Sequence, residues 1–199
     1  AKPAIRTEDR VVLVEGNLDV IASHQAGIKQ VVAAAGTAMT ADHLRSLSRL
    51  TMNVILSFDG DAAGLKATER AIGIAQEVGV DLRVVVLPND AKDPDELIQR
   101  DSSLWQQCIE AATDAVSWTL KRYENTYDAA TAEGKRQLST KALAVIRGLY
   151  DPVEQEHHLK QLAKQLDVSV QSLMAKLSQS KPKVKTKKPA HVQPVDPDQ

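Results

Sequence analysis

The stretch Asn53-Val54-Ile55-Leu56-Ser57-Phe58-Asp59-Gly60-Asp61-Ala62-Ala63-Gly64 constrains the fold more than any other part of the chain. A mostly apolar run, Val54 to Phe58, enters Asp59-Gly60-Asp61, and an Ala-rich helical pattern follows. Such a run, bounded by turn residues, predicts a strand buried on both faces in a parallel sheet. Parallel α/β sheets bind ligands at the carboxyl ends of their strands, so Asp59 and Asp61 fall where chemistry would sit. Gly60 between them lets the chain turn tightly. Taken alone, the motif is equally a common hairpin turn with Asp61 as a helix N-cap. A second acidic turn upstream and a third downstream shift the balance towards carboxylates that share a cation.

The remaining strands follow the same grammar. Val11 to Val14 predicts a short buried strand ending at Glu15-Gly16, the first acidic turn. Asn17 is read as the cap of a helix in which Leu18, Ile21 and Ala22 share a face, with Asp19 on its first turn and Gly27 closing it. Val31 to Ala34 is the second strand, broken by Gly36-Thr37, and Thr40 caps a helix through Leu50. The helix after the third strand runs from Asp61 to about Val78 and ends at Gly79. Leu82 to Leu87 is the fourth strand. Asp93-Pro94-Asp95-Glu96 forms the third acidic turn, with Asp93 as cap and Pro94 at the first helical position. Strands alternating with helices predict a doubly wound parallel four-stranded sheet over residues 11–101. All three acidic turns then lie at its carboxyl edge. Residues 1–10 read as a polar lead-in.

From residue 102 the pattern turns helical, and no further strand is expected. Leu104, Trp105, Cys108 and Ile109 fit one face, as do Leu138, Ala142, Val145, Ile146 and Leu149. Pro152 opens a helix carrying Leu159, Leu162, Ala163 and Leu166, and Ser169 caps a last one with Leu173 and Leu177. An all-α helical bundle over 102–180 follows from these stripes. Residues 181–199, with five lysines and four prolines, read as a disordered linker.

Charge limits the partners. The net charge is −1, and the tail contributes five lysines against two aspartates, so residues 1–180 carry −4. A basic footprint for nucleic acid is therefore missing in bulk, and any such contact must be local or metal-mediated. One cysteine, Cys108, excludes an intrachain disulfide and suits a reducing compartment. It sits on an apolar helical face and reads as a core thiol. No membrane-length apolar run and no signal-peptide pattern is present, so a cytoplasmic protein without membrane contact is expected. None of the five histidines pairs with cysteine at zinc spacing, and surface or packing roles are expected for them.

Carboxylates crowded at one sheet edge repel. At ~4 Å and an effective dielectric near ~20 each pair costs roughly 4 kcal/mol, which protonation or a cation must relieve. Oxygen-only donors point to Mg²⁺ or Mn²⁺. Mg²⁺ takes one or two carboxylates and leaves its other positions to water and phosphates, the chemistry of phosphoryl transfer.

The segments V-V-L-V-E-G-N-L-D-V, G-T-A-M-T-A-D-H-L, F-D-G-D-A-A-G-L-K-A and L-P-N-D-A-K-D-P-D-E-L, spread in order over residues 11–100, resemble the TOPRIM domain of bacterial DnaG-type primases. Glu-Gly with Asp-x-Asp marks TOPRIM in general. G-T-A-x-T and K-D-P-D-E-L make the match primase-like. E-G-K-R at 133–136, D-P-V-E-Q-E at 151–156 and L-A-K-Q-L-D-V-S at 162–169 are similar to the helical subdomain that follows TOPRIM there. The family's usual aromatic and Met after Glu-Gly are replaced by Asn17 and Leu18.

The resemblance implies a metal site at Glu15, Asp59 and Asp61, completed by Asp19, Asp93 and Asp95, with Mg²⁺ or Mn²⁺ bound. It implies synthesis of an RNA primer from ribonucleoside triphosphates on a single-stranded DNA template at the bacterial replisome. It also implies an N-terminal zinc module and a basic subdomain before TOPRIM, with the start at Ala1 fitting a cut just before the first strand. Contact with the replicative helicase is expected through a missing C-terminal domain. Two other readings stand beside it. One is a TOPRIM nuclease or topoisomerase, disfavoured because Tyr123, Tyr127 and Tyr150 all lie in the helical part. The other is a non-catalytic replisome interaction module. The helix-turn-helix look of residues 162–177 is read as a packed corner, since the second helix offers little beyond Gln171 and Lys176 to DNA.

Overall fold

A computed structural model of the chain describes residues 1–34, 39–58, 62–88 and 91–179. Gly36-Thr37, Asp59-Gly60-Asp61 and the tail 181–199, each given a role above, lie outside the described residues, as do Asn89-Asp90. Strands β1 (Val11–Val14), β2 (Val31–Ala33), β3 (Asn53–Ser57) and β4 (Asp81–Val84) run parallel in the order β2-β1-β3-β4. A two-residue strand, β5 (Thr113–Asp114), adds antiparallel to β4 through Arg83↔Asp114 and Val84↔Thr113. The sheet is therefore five-stranded. The expectation of four strands, with none after residue 102, missed β5 because two residues are too few to carry a periodic signal.

Alternation along the strands divides the core in two. Val11, Leu13, Val54, Leu56, Leu82 and Val84 face one way, against α3 (Ala41–Ser48) and α4 (Ala62–Val78). Val12, Val14, Val31, Ile55 and Val85 face the other. Helices α2 (Asn17–Gln25), α5 (Pro94–Arg100) and α6 (Ser102–Glu110) cover that second face. Trp105 on α6 is fully buried there, and its Nε1 donates to Ser23 Oγ on α2 at 3.1 Å.

The first face is continuous with the helical part. Ala71, Ile72 and Ala75 of α4 share one apolar cluster with α7 (Ala115–Thr126), α8 (Ala132–Gly148), α9 (Pro152–Leu166) and α10 (Val170–Gln179). Leu138, Ala142 and Ile146 on α8 and Leu162 on α9 are fully buried, which is worth about 1.5–3 kcal/mol for each large side chain. Tyr123 on α7 donates to Glu69 Oε1 on α4 and couples the two parts further. The corner between α9 and α10 turns at Asp167 in the left-handed region, and Leu173 packs inward, as a packed corner requires.

Caps fall mainly where the sequence places them. Thr40 Oγ1 accepts from His43 N, and Asp93 Oδ1 accepts from Glu96 N at 2.8 Å. Gly27 and Gly79 follow α2 and α4 with positive φ. Two expectations fail locally. The lead-in forms a helix, α1 (Lys2–Glu8), whose Ile5 is buried and whose following Asp9 accepts from Thr51 Oγ1 and Asn53 Nδ2. A single apolar residue among polar ones offers no period to read. In α2 the cap is Gly16, not Asn17. Its inward face holds Asp19, Ala22 and Ser23, while Leu18 and Ile21 are exposed. The polar face is the buried one because Asp19 and Ser23 find partners inside.

Candidate metal centre

Chain order and strand order together locate the site. From β1 the chain steps to β2 on one side, and β3 then pairs with β1 on the other. The crevice outside the carboxyl ends of β1 and β3 is therefore a topological switch point, the place where open α/β sheets bind ligands. Glu15 follows directly on Val14, which pairs with Ser57, and is exposed. Phe58 follows Ser57, and Asp59 is next in sequence. Asp59 and Asp61 themselves lie outside the described residues.

Asp19 joins the first acidic turn to the third. Its Oδ2 accepts from Gly16 N at 3.1 Å and its Oδ1 from Asp95 N at 3.2 Å. The residue is only 7% exposed. Burial raises its pKa from the ordinary carboxylate value, the two N–H donors oppose that, and nearby Asp93 and Asp95 raise it further. Asp95 Oδ2 accepts from Gln99 Nε2, and Asp93 caps α5. Among the described residues no lysine or arginine pairs with Asp19, Asp93 or Asp95. Asp19, Asp93 and Asp95 thus lie near one another along one edge, with both Asp19 oxygens taken by backbone N–H groups. Oxygen-only side chains of this kind suit a hard divalent cation.

Beside this edge lies a feature that charge counting missed. A cavity of about 380 Å³ is lined by Phe58, Val85–Pro88, Lys92, Trp118, Lys121 and Arg122. The Arg122 guanidinium lies over the Trp118 ring, 5.9 Å from its centroid. These cations come from a loop and a helix far apart in sequence, so a net charge of −4 conceals them. No described helix is long and apolar enough to cross a membrane.

Known proteins match this arrangement in two blocks. The Toprim-like family pattern matches residues 12–98, and the pattern for the DnaB-helicase binding domain of primase matches residues 116–171. The DNA primase of Clostridium acetobutylicum is 31% identical over 166 residues, covering 83% of this chain and 28% of that protein. The DNA primase of Enterococcus faecalis is 33% identical over 184 residues, covering 91% and 29%. A solved DnaG primase catalytic domain bound to ssDNA superposes with a TM-score of 0.72 at 32% identity, covering 85% of this chain and 56% of that one. The chain spans less than a third of the length of the curated relatives it matches. The helicase-binding match falls on α7 to the start of α10.

Proposed function

The chain belongs to the bacterial DnaG-type DNA primases, and from that premise we propose that it is the metal-binding part of a primase that makes short RNA primers on single-stranded DNA at the replication fork. In this reading it is a nucleotidyltransferase acting in the bacterial cytoplasm. Its substrates are ribonucleoside triphosphates, and its product is an RNA primer on a DNA template. Glu15, Asp59 and Asp61 hold Mg²⁺ or Mn²⁺, and Asp19, Asp93 and Asp95 complete the acidic site. An ion held there would supply charge neutralisation for the triphosphate and a lowered pKa for the attacking 3′-hydroxyl. Lys92, Lys121 and Arg122 contact phosphates of the template or nucleotide. The 116–171 segment contacts the replicative helicase, by analogy with the domain it matches.

The observation that carries this reading is the Asp19 bridge, which holds the Glu15-Gly16 turn and the Asp93-Asp95 turn together beside the β1/β3 switch point. The test is a Mn²⁺ titration of the chain and its Glu15→Gln, Asp59→Asn and Asp61→Asn variants, followed by thermal unfolding. Each variant should fold and lose most of the metal-induced rise in midpoint. If all three respond as the parent does, the acidic site is elsewhere. Primer synthesis by the chain alone should be poor, because template binding rests on phosphate neutralisation and residues 1–180 are net negative. Synthesis equal to that of a longer protein carrying the upstream part would refute this.

A further inference from the structure

A second group of metal-competent side chains lies at the other end of the sheet. Asp114 ends β5 and caps α7, its Oδ1 accepting from Ser117 N at 2.7 Å. Glu154 and His158 stand four residues apart on α9 and so share a face. One ligand atom from each of the three lies within 4.8 Å of the other two. Asp81, which lines the adjoining cavity with Asp114 and Glu154, starts β4. The group is therefore on the amino-end side of the strands, away from Glu15 and Asp19.

His158 gives this group a direction. It is 3% exposed, and its Nδ1 lies 3.3 Å from Gln161 Oε1. That oxygen only accepts, so a hydrogen bond here requires the Nδ1–H tautomer; the same oxygen accepts from Ser117 Oγ. Nε2 is then left aimed at the carboxylates, 3.7 Å from Asp114 Oδ1. This is longer than a hydrogen bond. It is close to the ~3.4 Å that separates two ligands each ~2.1 Å from one tetrahedral ion. A metal-binding histidine whose other nitrogen is fixed by an amide oxygen has its tautomer set for coordination. Among the described residues no lysine or arginine pairs with Asp114 or Glu154. Arg83, the cross-strand partner of Asp114, pairs with Asp81 instead, at 3.9 Å. The cavity, about 390 Å³, supplies a path for an ion and room for its waters.

We propose that Asp114, Glu154 and His158 form a second metal site, for Zn²⁺ in preference to Mg²⁺, that fastens the start of α7 to α9. One imidazole nitrogen with two carboxylates is a borderline donor set that favours Zn²⁺, whereas Mg²⁺ prefers oxygen alone. The ion would replace a repulsive meeting of a lone pair and two carboxylates with three coordinate bonds. It would also tie the edge of the sheet to the helical part.

The experiment is a ZnCl₂ titration of the 199-residue chain, read by ¹⁵N resonances of the histidine rings and by thermal unfolding. Zn²⁺ at one equivalent should shift the His158 Nε2 resonance, and Mg²⁺ should not. At a hundred times Kd the midpoint should rise by ~5–10 °C. The resonance shift should be lost in Glu154→Gln, a half-exposed position, and in Asp114→Asn, which keeps the cap. It should persist in Glu15→Gln, which separates this site from the acidic edge. An unchanged His158 resonance in the parent, or the same shift in parent and Glu154→Gln, overturns the proposal.

Discussion

Replacing Asp19 by Asn separates the two parts a buried carboxylate can play at the acidic edge. The carboxylate accepts one backbone N–H on each oxygen, from Gly16 and from Asp95. Asn keeps one acceptor and turns an NH₂ towards the other N–H. One donor at a 7% exposed position is then unsatisfied, which costs about 1–3 kcal/mol. Loss of the negative charge acts the other way, because burial and the nearby Asp93 and Asp95 raise the Asp19 pKa. Asp93 and Asp95 are themselves in contact with water, so this relief is discounted for screening, and the lost acceptor wins. Net destabilisation of about 1–2 kcal/mol is expected, or ~2–8 °C in midpoint for a chain of this length. The assay is thermal unfolding by circular dichroism in chelated buffer near neutral pH.

The destabilisation grows as pH falls. A carboxyl whose folded pKa is raised destabilises the fold when ionised. That cost is absent below the unfolded value and develops as pH rises through the folded one. The part of the parent's stability governed by Asp19 should therefore be larger in acid than at neutrality, and Asp19→Asn should flatten that slope. Asp19→Asn equal to or more stable than the parent near neutral pH, without metal, would show that repulsion exceeds the hydrogen bonds. The bridge would then not be what holds the two acidic turns together.

Three further outcomes test the packing. Gly134→Ala should destabilise by about 1–3 kcal/mol in urea unfolding, because a Cβ there meets the Asp128 carbonyl oxygen at 1.8 Å and the backbone must move; a neutral effect would refute the close approach. Ser23→Ala should cost about 1–3 kcal/mol by leaving the Trp105 indole N–H unpaired, and much less in a Trp105→Phe background, a difference that a double-mutant cycle measures. Residues 102–179 expressed alone should be helical by far-UV circular dichroism yet lack a sharp thermal transition, because their core is continuous with Ala71, Ile72 and Ala75 of α4. A cooperative transition would show that the helical part folds independently.

Strands β1 to β4, the caps at Thr40 and Asp93 and the stripes of α8 and α9 were legible in the sequence, because each rests on local chemistry. Periodic burial, a side-chain acceptor one turn before an N–H, or a glycine at positive φ needs no distant partner. The six acidic residues were picked out by the same local signals, and of their three expected turns those at Glu15-Gly16 and Asp93-Asp95 fall among the described residues. What the sequence could not contain was who meets whom. The crevice between β1 and β3 exists only once β3 pairs with β1 on the side away from β2. Asp19 looked like a first-turn acid and became a buried strut, because Asp95, remote in sequence, delivers an N–H to it. Leu18 and Ile21 marked the wrong face of α2, since Ser23 had an indole waiting on α6. Asp114 ends β5 and His158 lies on α9, and the two show no motif spacing. Only the packing of α7 against α9, a contact between segments with no local signature, brings them within 3.7 Å of each other.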